Sequence, residues 1–343
     1  MQKQTIKCIF CSSHNIIKKG VRKNKQQKIQ KYQCKYCKKY FTIQNIKHKT
    51  YPIKIILKAI STYNLGHTLE KTKDIINKRY NLAITAPTIL TWINQYKEIC
   101  TYNKLRKKAI KLYSPKNTIF KKPLQHKQVY LFKYHKAKLN LLQELNPAIP
   151  SHTIGKLINY FHKIPTDKFP HHIFNNAQRK HNEQRSSQLK FSTLKFLKHE
   201  KNNYANKLAK LALETAKNNY QKHEAIQNFM LINDTSTVAV EVPVYLTNDD
   251  IVYFLSRKFT LPLGNQQTPI TGHIDVLQLR NSLFHILDYK PEAQKINPVN
   301  QLVLYSLALA SKLQIPLKDF KAAWFDENNY CEFFPLHCVY EKR

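Results

Sequence analysis

The chain has 343 residues, with 57 Lys+Arg against 21 Asp+Glu, a formal net charge of +36 and 42% hydrophobic residues. That apolar content can build real cores and excludes wholesale disorder, and the length suits two or three domains. The most apolar run, 302–310, falls far short of the ~20 residues of a membrane span. Met1-Gln2-Lys3-Gln4 leads into no signal-like apolar stretch, so the expectation is a cytoplasmic, nucleoid-associated chain with no membrane partner.

Charge is unevenly placed: residues 1–230 hold 47 Lys+Arg and 9 Asp+Glu, whereas residues 231–343 hold 10 and 12. An A+T-rich coding bias explains Lys over Arg but not the separation of acids from bases. A polycationic first two thirds predicts a nucleic-acid partner, and charge alone does not distinguish DNA from RNA.

Cys8-Ile-Phe-Cys11 and Cys34-Lys-Tyr-Cys37 stand 22 residues apart. Each pair can offer two thiolates from one knuckle, and Cys8, Cys11, Cys34 and Cys37 together complete a tetrahedral site for Zn2+. An iron–sulfur cluster also takes four thiolates, but the even, well-separated spacing favours zinc. Residues 18–23 and 28–33 are expected as basic strands between the knuckles, with Tyr32, Tyr36, Tyr40 and Phe41 as a small apolar face. The stretch KYQCKYCKKYFT, 31–42, resembles the second knuckle of the zinc ribbons that open many insertion-sequence transposases. The resemblance covers about 50 residues and implies a DNA-binding accessory module.

From Tyr51 the apolar spacing turns helical: Ile53, Ile56, Leu57 and Ile60, then Leu69, Ile75 and Ile76, then Ile89, Trp92 and Ile93. Thr68 is a candidate N-cap, and Thr85 with Pro87 starts the last helix. The pattern fits a helix-turn-helix with Thr85, Thr88, Thr91 and Gln95 as the DNA-facing residues and Trp92 inside. An ordinary three-helix bundle has the same periodicity. The order ribbon then helix-turn-helix again resembles the transposases, which implies major-groove reading and makes a homodimer on a palindrome natural.

Residues 101–200 are Lys- and His-rich with helical apolar spacing in 139–145 and 157–161 and basic doublets at 107–108, 121–122 and 179–180. They are expected as a basic helical arm touching phosphates, or as a solvated linker with helices of its own. The stretch 165–187 is expected to be mobile.

The last third is expected as a helix over 208–230, strands over 238–246, 271–279 and 283–290, a buried helix over 299–311 capped by Asn297-Pro298, and a strand over 320–325. If Asn281-Ser282 is a two-residue turn, strand partners sum to 563, and Asp275 faces Asp288 with Lys290 pointing the same way. Two carboxylates so placed repel unless a cation fills the gap, and Mg2+ or Mn2+ is the natural one. A surface hairpin with scattered charges is the bland alternative.

Gly272-His-Ile-Asp275, Asp288-Tyr-Lys290 and Gln301-Leu-Val-Leu-Tyr305 resemble, in order, the three signature motifs of the PD-(D/E)xK nucleases. The nearest branch is that of the RecB-type nuclease domain and its CRISPR-associated relatives. The match spans about 110 residues, with the Glu241 strand placed as in that branch. It implies phosphodiester hydrolysis, with Asp275, Asp288 and the Tyr289 carbonyl on the metal and Lys290 serving the attacking water. It also implies that Gln301 and Tyr305 brace the site, and that a first-helix ligand comes from His223, with Glu224 and Glu214 as alternatives. The four cluster-binding cysteines of some relatives are missing, since this part holds only Cys331 and Cys338. The expected whole is multidomain α+β: zinc ribbon 1–50, helix-turn-helix 51–100, basic helical arm 101–200, and an α/β restriction-endonuclease-like domain 201–343 with a central mixed sheet flanked by helices. The function expected is a DNA-cutting, metal-dependent enzyme of a mobile-element, defence or repair system; the alternative is a transposon-derived regulator with an inert nuclease fold.

Overall fold

The computed structural model describes residues 6–8, 10–11, 13–23, 28–42, 51–126, 128–145, 147–166, 168–174, 184–216, 220–263, 266 and 268–341. The chain divides into two compact units, Met1–Leu57 and Lys58–Arg343. The expected doublet 179–180 and much of the stretch 165–187 lie outside the described residues.

In the first unit, β1 (Ile16–Lys23), β2 (Lys28–Cys34) and β3 (Tyr40–Thr42) form an antiparallel sheet in that order. Tyr32 and Phe41 stack at 5.8 Å and are buried with Cys8 and Cys34. Tyr36 and Tyr40 do not join them, being 80% and 55% exposed. Tyr40 neighbours Phe41 on one strand, so strand alternation turns it to the other face.

Helices α1 (Ile53–Asn64), α2 (Leu69–Tyr80) and α3 (Ala86–Tyr96) follow the expected spacing. Thr68 and Thr85 are N-caps, their side chains accepting from the amides of Lys71 and Thr88. Asn81 ends α2 at φ +50°, and the Asn77 side chain ties the turn by pairing both the amide and the carbonyl of Ile84.

The middle of the chain is not a helical arm. After α4 (Asn103–Leu112), β4 (Ile119–His126) and β5 (Gln128–His135) form an antiparallel hairpin, followed by α5 (Lys136–Leu145) and α6 (Ser151–Lys163). Lys121, Lys122 and Pro123 disguise β4 as loop or helix surface. As the outermost strand of its sheet, β4 tolerates a proline and gains protection against edge pairing from the lysines.

Beyond β6 (Gln184–Arg185) and β7 (His199–Glu200), the expected single helix is two, α7 (Tyr204–Leu213) and α8 (Tyr220–Asn233). Then come β8 (Thr237–Leu246), α9 (Asn248–Ser256), β9 (Ile270–Arg280), β10 (Leu283–Tyr289), α10 (Val299–Leu313), β11 (Phe320–Phe325), β12 (Tyr330–Phe333) and α11 (Pro335–Val339). Among the described residues the sheet runs β4-β5-β8-β9-β10-β11-β12-β7, with β6 paired to the start of β9. It is mixed: β10 and β11 are parallel, joined through α10, and the other neighbours on that path are antiparallel. The fold is therefore mixed α+β, as expected. Leu302, Leu304, Leu307 and Leu309 of α10 are all within 1% of full burial, each worth about 1.5–3 kcal/mol by area. No helix among the described residues is long and apolar enough to cross a membrane.

Candidate functional site

The β9–β10 turn has the expected form. Asn281 and Ser282 take φ +51° and +61°, a pair of left-handed residues that suits a two-residue hairpin. Leu283 pairs with Arg280, Phe284 with Leu279 and Ile286 with Leu277. Continued by one more pair on that face, the register sets Asp275 beside Asp288. Both carboxylates are pushed to the end of the hairpin, where β10 stops and β6 takes its place along β9.

These residues face a cleft of about 540 Å³ lined by His223, Glu224, Gln227, Glu241, Gly272, His273, Asp275, Lys290, Gln301 and Tyr305, with Asp288 buried beneath it. Lys290 Nζ lies 3.1 Å from Asp288 Oδ1 and 2.8 Å from Oδ2. The Tyr289 amide donates to Asp275 Oδ2 at 3.1 Å, so that peptide lies against the acid pair. On the far wall, His223 Nδ1 is 3.7 Å from Asp275 Oδ2 and its ring stands edge-on to Tyr289 at 4.9 Å. Of the three first-helix alternatives, His223 is the one that meets Asp275. Glu224 lines the cleft but turns to Lys133 and Asn228, and Glu214 ends α7 away from the lining. Gln301 Nε2 donates to the Tyr305 hydroxyl at 2.8 Å across one helical turn of α10.

Burial and the Asp275 charge raise the Asp288 carboxyl well above the carboxylate range, against the pull of Lys290. Asp275 is held low: burial opposes ionisation, but the hydrogen bond and charge of His223 and the charge of Lys290 outweigh it. A buried carboxyl, Asp288, and a half-buried one, Asp275, thus share a site in which one resists ionisation.

Sequence reasoning missed Lys133, Arg185, Ser186 and Ser187 of the lining, and gave Glu241 a strand but no place in the site. Glu241 sits at φ +51° within β8, a left-handed position that a non-glycine residue occupies at a cost of order 1–3 kcal/mol. The β8–β9 register sets it opposite Asp275. It accepts from Gln227 Nε2 at 2.7 Å and has His273 Nδ1 at 3.7 Å, and burial with the Asp275 charge raises it to about 8. Lys133 comes from the unexpected hairpin, and Arg185, Ser186 and Ser187 from β6 and its exit. No local pattern marks these four, because they enter the cleft only through pairing with distant strands.

At the other end of the chain, the cysteine sulfurs lie within 4.8 Å of one another, with Cys8 to Cys37 and Cys11 to Cys34 each 3.6 Å apart. Among the described residues this is the one group of three or more His, Cys, Asp or Glu ligands so gathered. The amide of Cys37, donating to the Cys34 sulfur, is the leading cause that lowers that thiol to about 6. A four-thiolate group of this kind can hold zinc.

On α3, Trp92 is buried, while Thr85, Thr91 and Gln95 are exposed and Thr88 is half-buried. The Thr91 hydroxyl donates to the Pro87 carbonyl, and those of Thr85 and Thr88 pair with each other at 2.9 Å.

The chain matches no family model, no curated protein and no solved structure.

Proposed function

We propose that the protein is a divalent-metal-dependent nuclease that cuts DNA, with the zinc ribbon and helix-turn-helix holding the substrate, in a mobile-element, defence or repair setting. The observation that carries the reading is convergence. His223 of α8, Asp275 of β9, Lys290 after β10, and Gln301 and Tyr305 of α10 line one cleft over Asp288. The motif order seen in the sequence demands that meeting, and a decorative surface hairpin would not produce it.

Magnesium or manganese held by Asp275, Asp288 and the Tyr289 carbonyl would supply Lewis-acid polarisation of the scissile phosphate and a more acidic water. Lys290, kept protonated by Asp288 and Asp275 in spite of its burial, would orient the attacking water and offset charge growing on phosphorus. Gln301 and Tyr305 would hold the substrate strand against the acid pair. Phosphate neutralisation by the basic first two thirds would give affinity, leaving the carboxylates free for metal.

The test is cutting of labelled single- and double-stranded DNA with magnesium, manganese or chelator, beside Lys290→Ala and Asp288→Ala. Metal-dependent cutting that both variants lose, at nearly unchanged DNA affinity, is expected. Tight binding without cutting under every metal would point instead to a regulator with an inert nuclease fold.

A further inference from the structure

The three-helix module and the cleft share a structural member. Helix α8 presents His223, Glu224 and Gln227 to the cleft near its start and ends at Asn233, which is fully buried. Ten residues at 1.5 Å each separate His223 from Asn233, roughly 15 Å of straight helix.

At that far end, Asn64 Nδ2 of α1 donates to Asn233 Oδ1 at 2.9 Å, and Asn233 Nδ2 donates to Ser61 Oγ at 2.9 Å and to the Phe229 carbonyl at 3.0 Å. The Tyr102 amide donates to the Asn233 carbonyl at 2.9 Å. The carbonyls left over where α1 ends are claimed from outside the module: Arg106 donates to the carbonyls of Tyr63 and His67 at 2.8 and 2.6 Å and stacks on the Tyr63 ring at 3.6 Å. The Thr118 hydroxyl approaches the Leu65 carbonyl at 3.2 Å. Beneath the seam, the ammonium of Lys138 donates to the carbonyls of Leu231 and Thr237, so α8 is pinned on the core side as well.

An apolar seam lets two bodies slide, whereas buried directional bonds hold one orientation; here the side-chain nitrogens of Asn64 and Asn233 are paired and Asn64 Oδ1 is the seam atom left without a partner. A module on a flexible tether would need none of these bonds.

We propose that the three-helix module is a ruler: it holds duplex DNA at one offset from the acid pair, so cutting falls at a set distance from the bound site. The inference rests on the nuclease reading above. It adds a substrate class, a duplex that carries a recognition site and is cut outside it, and it gives Ser61, Asn64, Arg106 and Asn233 a positioning role.

The experiment starts from a duplex library with a randomised centre, selected on the Lys290→Ala protein. The selected duplex is end-labelled and cut by the unaltered protein with magnesium, and the ends are mapped at nucleotide resolution. The expected result is one narrow window on each strand, within about two base pairs or ~7 Å of duplex, that moves with the site when the site is moved. Arg106→Met and Asn64→Ala, made separately and each checked for unchanged unfolding of the sheet, widen the window without changing affinity for the selected duplex. Cuts scattered along the duplex by the unaltered protein would overturn the ruler while leaving the nuclease reading intact. No cutting under any metal would overturn the nuclease reading, and the ruler with it.

Discussion

The ring of Tyr305 on α10 lies so close to Gly272 on β9 that a Cβ added to the glycine would overlap the ring and stand 2.6 Å from Ser186 Oγ. The first and third motifs therefore meet in space through the absence of a side chain. Gly272→Ala is expected to cost about 1–3 kcal/mol by overpacking and to displace Tyr305 from Gln301. A urea titration measures this, and a double variant with Tyr305→Leu should recover part of the loss. An alanine protein as stable as the parent would show that the contact is not tight.

The zinc assignment is tested by Cys34→Ser. This sulfur is fully buried, 3.6 Å from Cys11, and its loss leaves three ligands. Metal analysis should show the bound zinc lost, with hydrogen exchange accelerated across β1–β3 while the residues from Lys58 onward keep their unfolding transition. Full zinc content in the variant would refute the four-thiolate site. Weaker DNA binding is expected alongside.

Lys138 is fully buried and faces Asp234 at 3.4 Å. Lys138→Met removes the counter-charge of that carboxylate, which keeps its bonds from the Ser236 and Thr237 amides, and frees the carbonyls of Leu231 and Thr237, so it should destabilise by about 3–5 kcal/mol. Lys138→Met combined with Asp234→Asn should do less harm than the single change, and equal harm would mean that the pair is not coupled.

Acid should weaken the fold through buried histidines. Burial, with the charges of Arg280, Lys321 and Lys201 nearby, lowers His285 to about 2, and burial lowers fully enclosed His135 in the same direction. A folded value below the unfolded one near 6.5 means that the unfolded chain binds the extra proton. Stability is therefore highest above pH 6.5 and falls as pH drops below it, by up to about 1.4 kcal/mol per unit for His285 alone. Urea midpoints at pH 7 and pH 5 measure the slope, which His285→Gln should flatten. An unchanged slope would show that His285 does not carry it.

Local chemistry was enough to place the parts of the site that neighbour one another in sequence. The left-handed pair Asn281-Ser282 fixes the β9–β10 register and so the meeting of Asp275 with Asp288. Thr68 and Thr85 mark helix starts by side-chain capping, the cysteine spacing predicts the four-sulfur cluster, and the all-round apolar run of α10 predicts its burial. Most of these signals act over two to four residues or along one element, and the cysteine pairs carry theirs in ligand type and spacing across 22 intervening residues, so all survive in a single sequence. The tertiary structure alone decided what crosses long separations. The hairpin β4–β5 carries lysines and a proline that oppose a strand reading, and it is a strand pair because β8 offers an open edge. Arg185 and Ser186 reach the cleft only because β10 ends and frees the start of β9 for β6. That His223, and not Glu224 or Glu214, meets Asp275 is set by how α8 lies across the sheet. The Asn64–Asn233 bond joins residues 169 apart, and such pairings are chosen by packing and by the cost of burying an amide without a partner, neither of which leaves a mark on the neighbouring sequence.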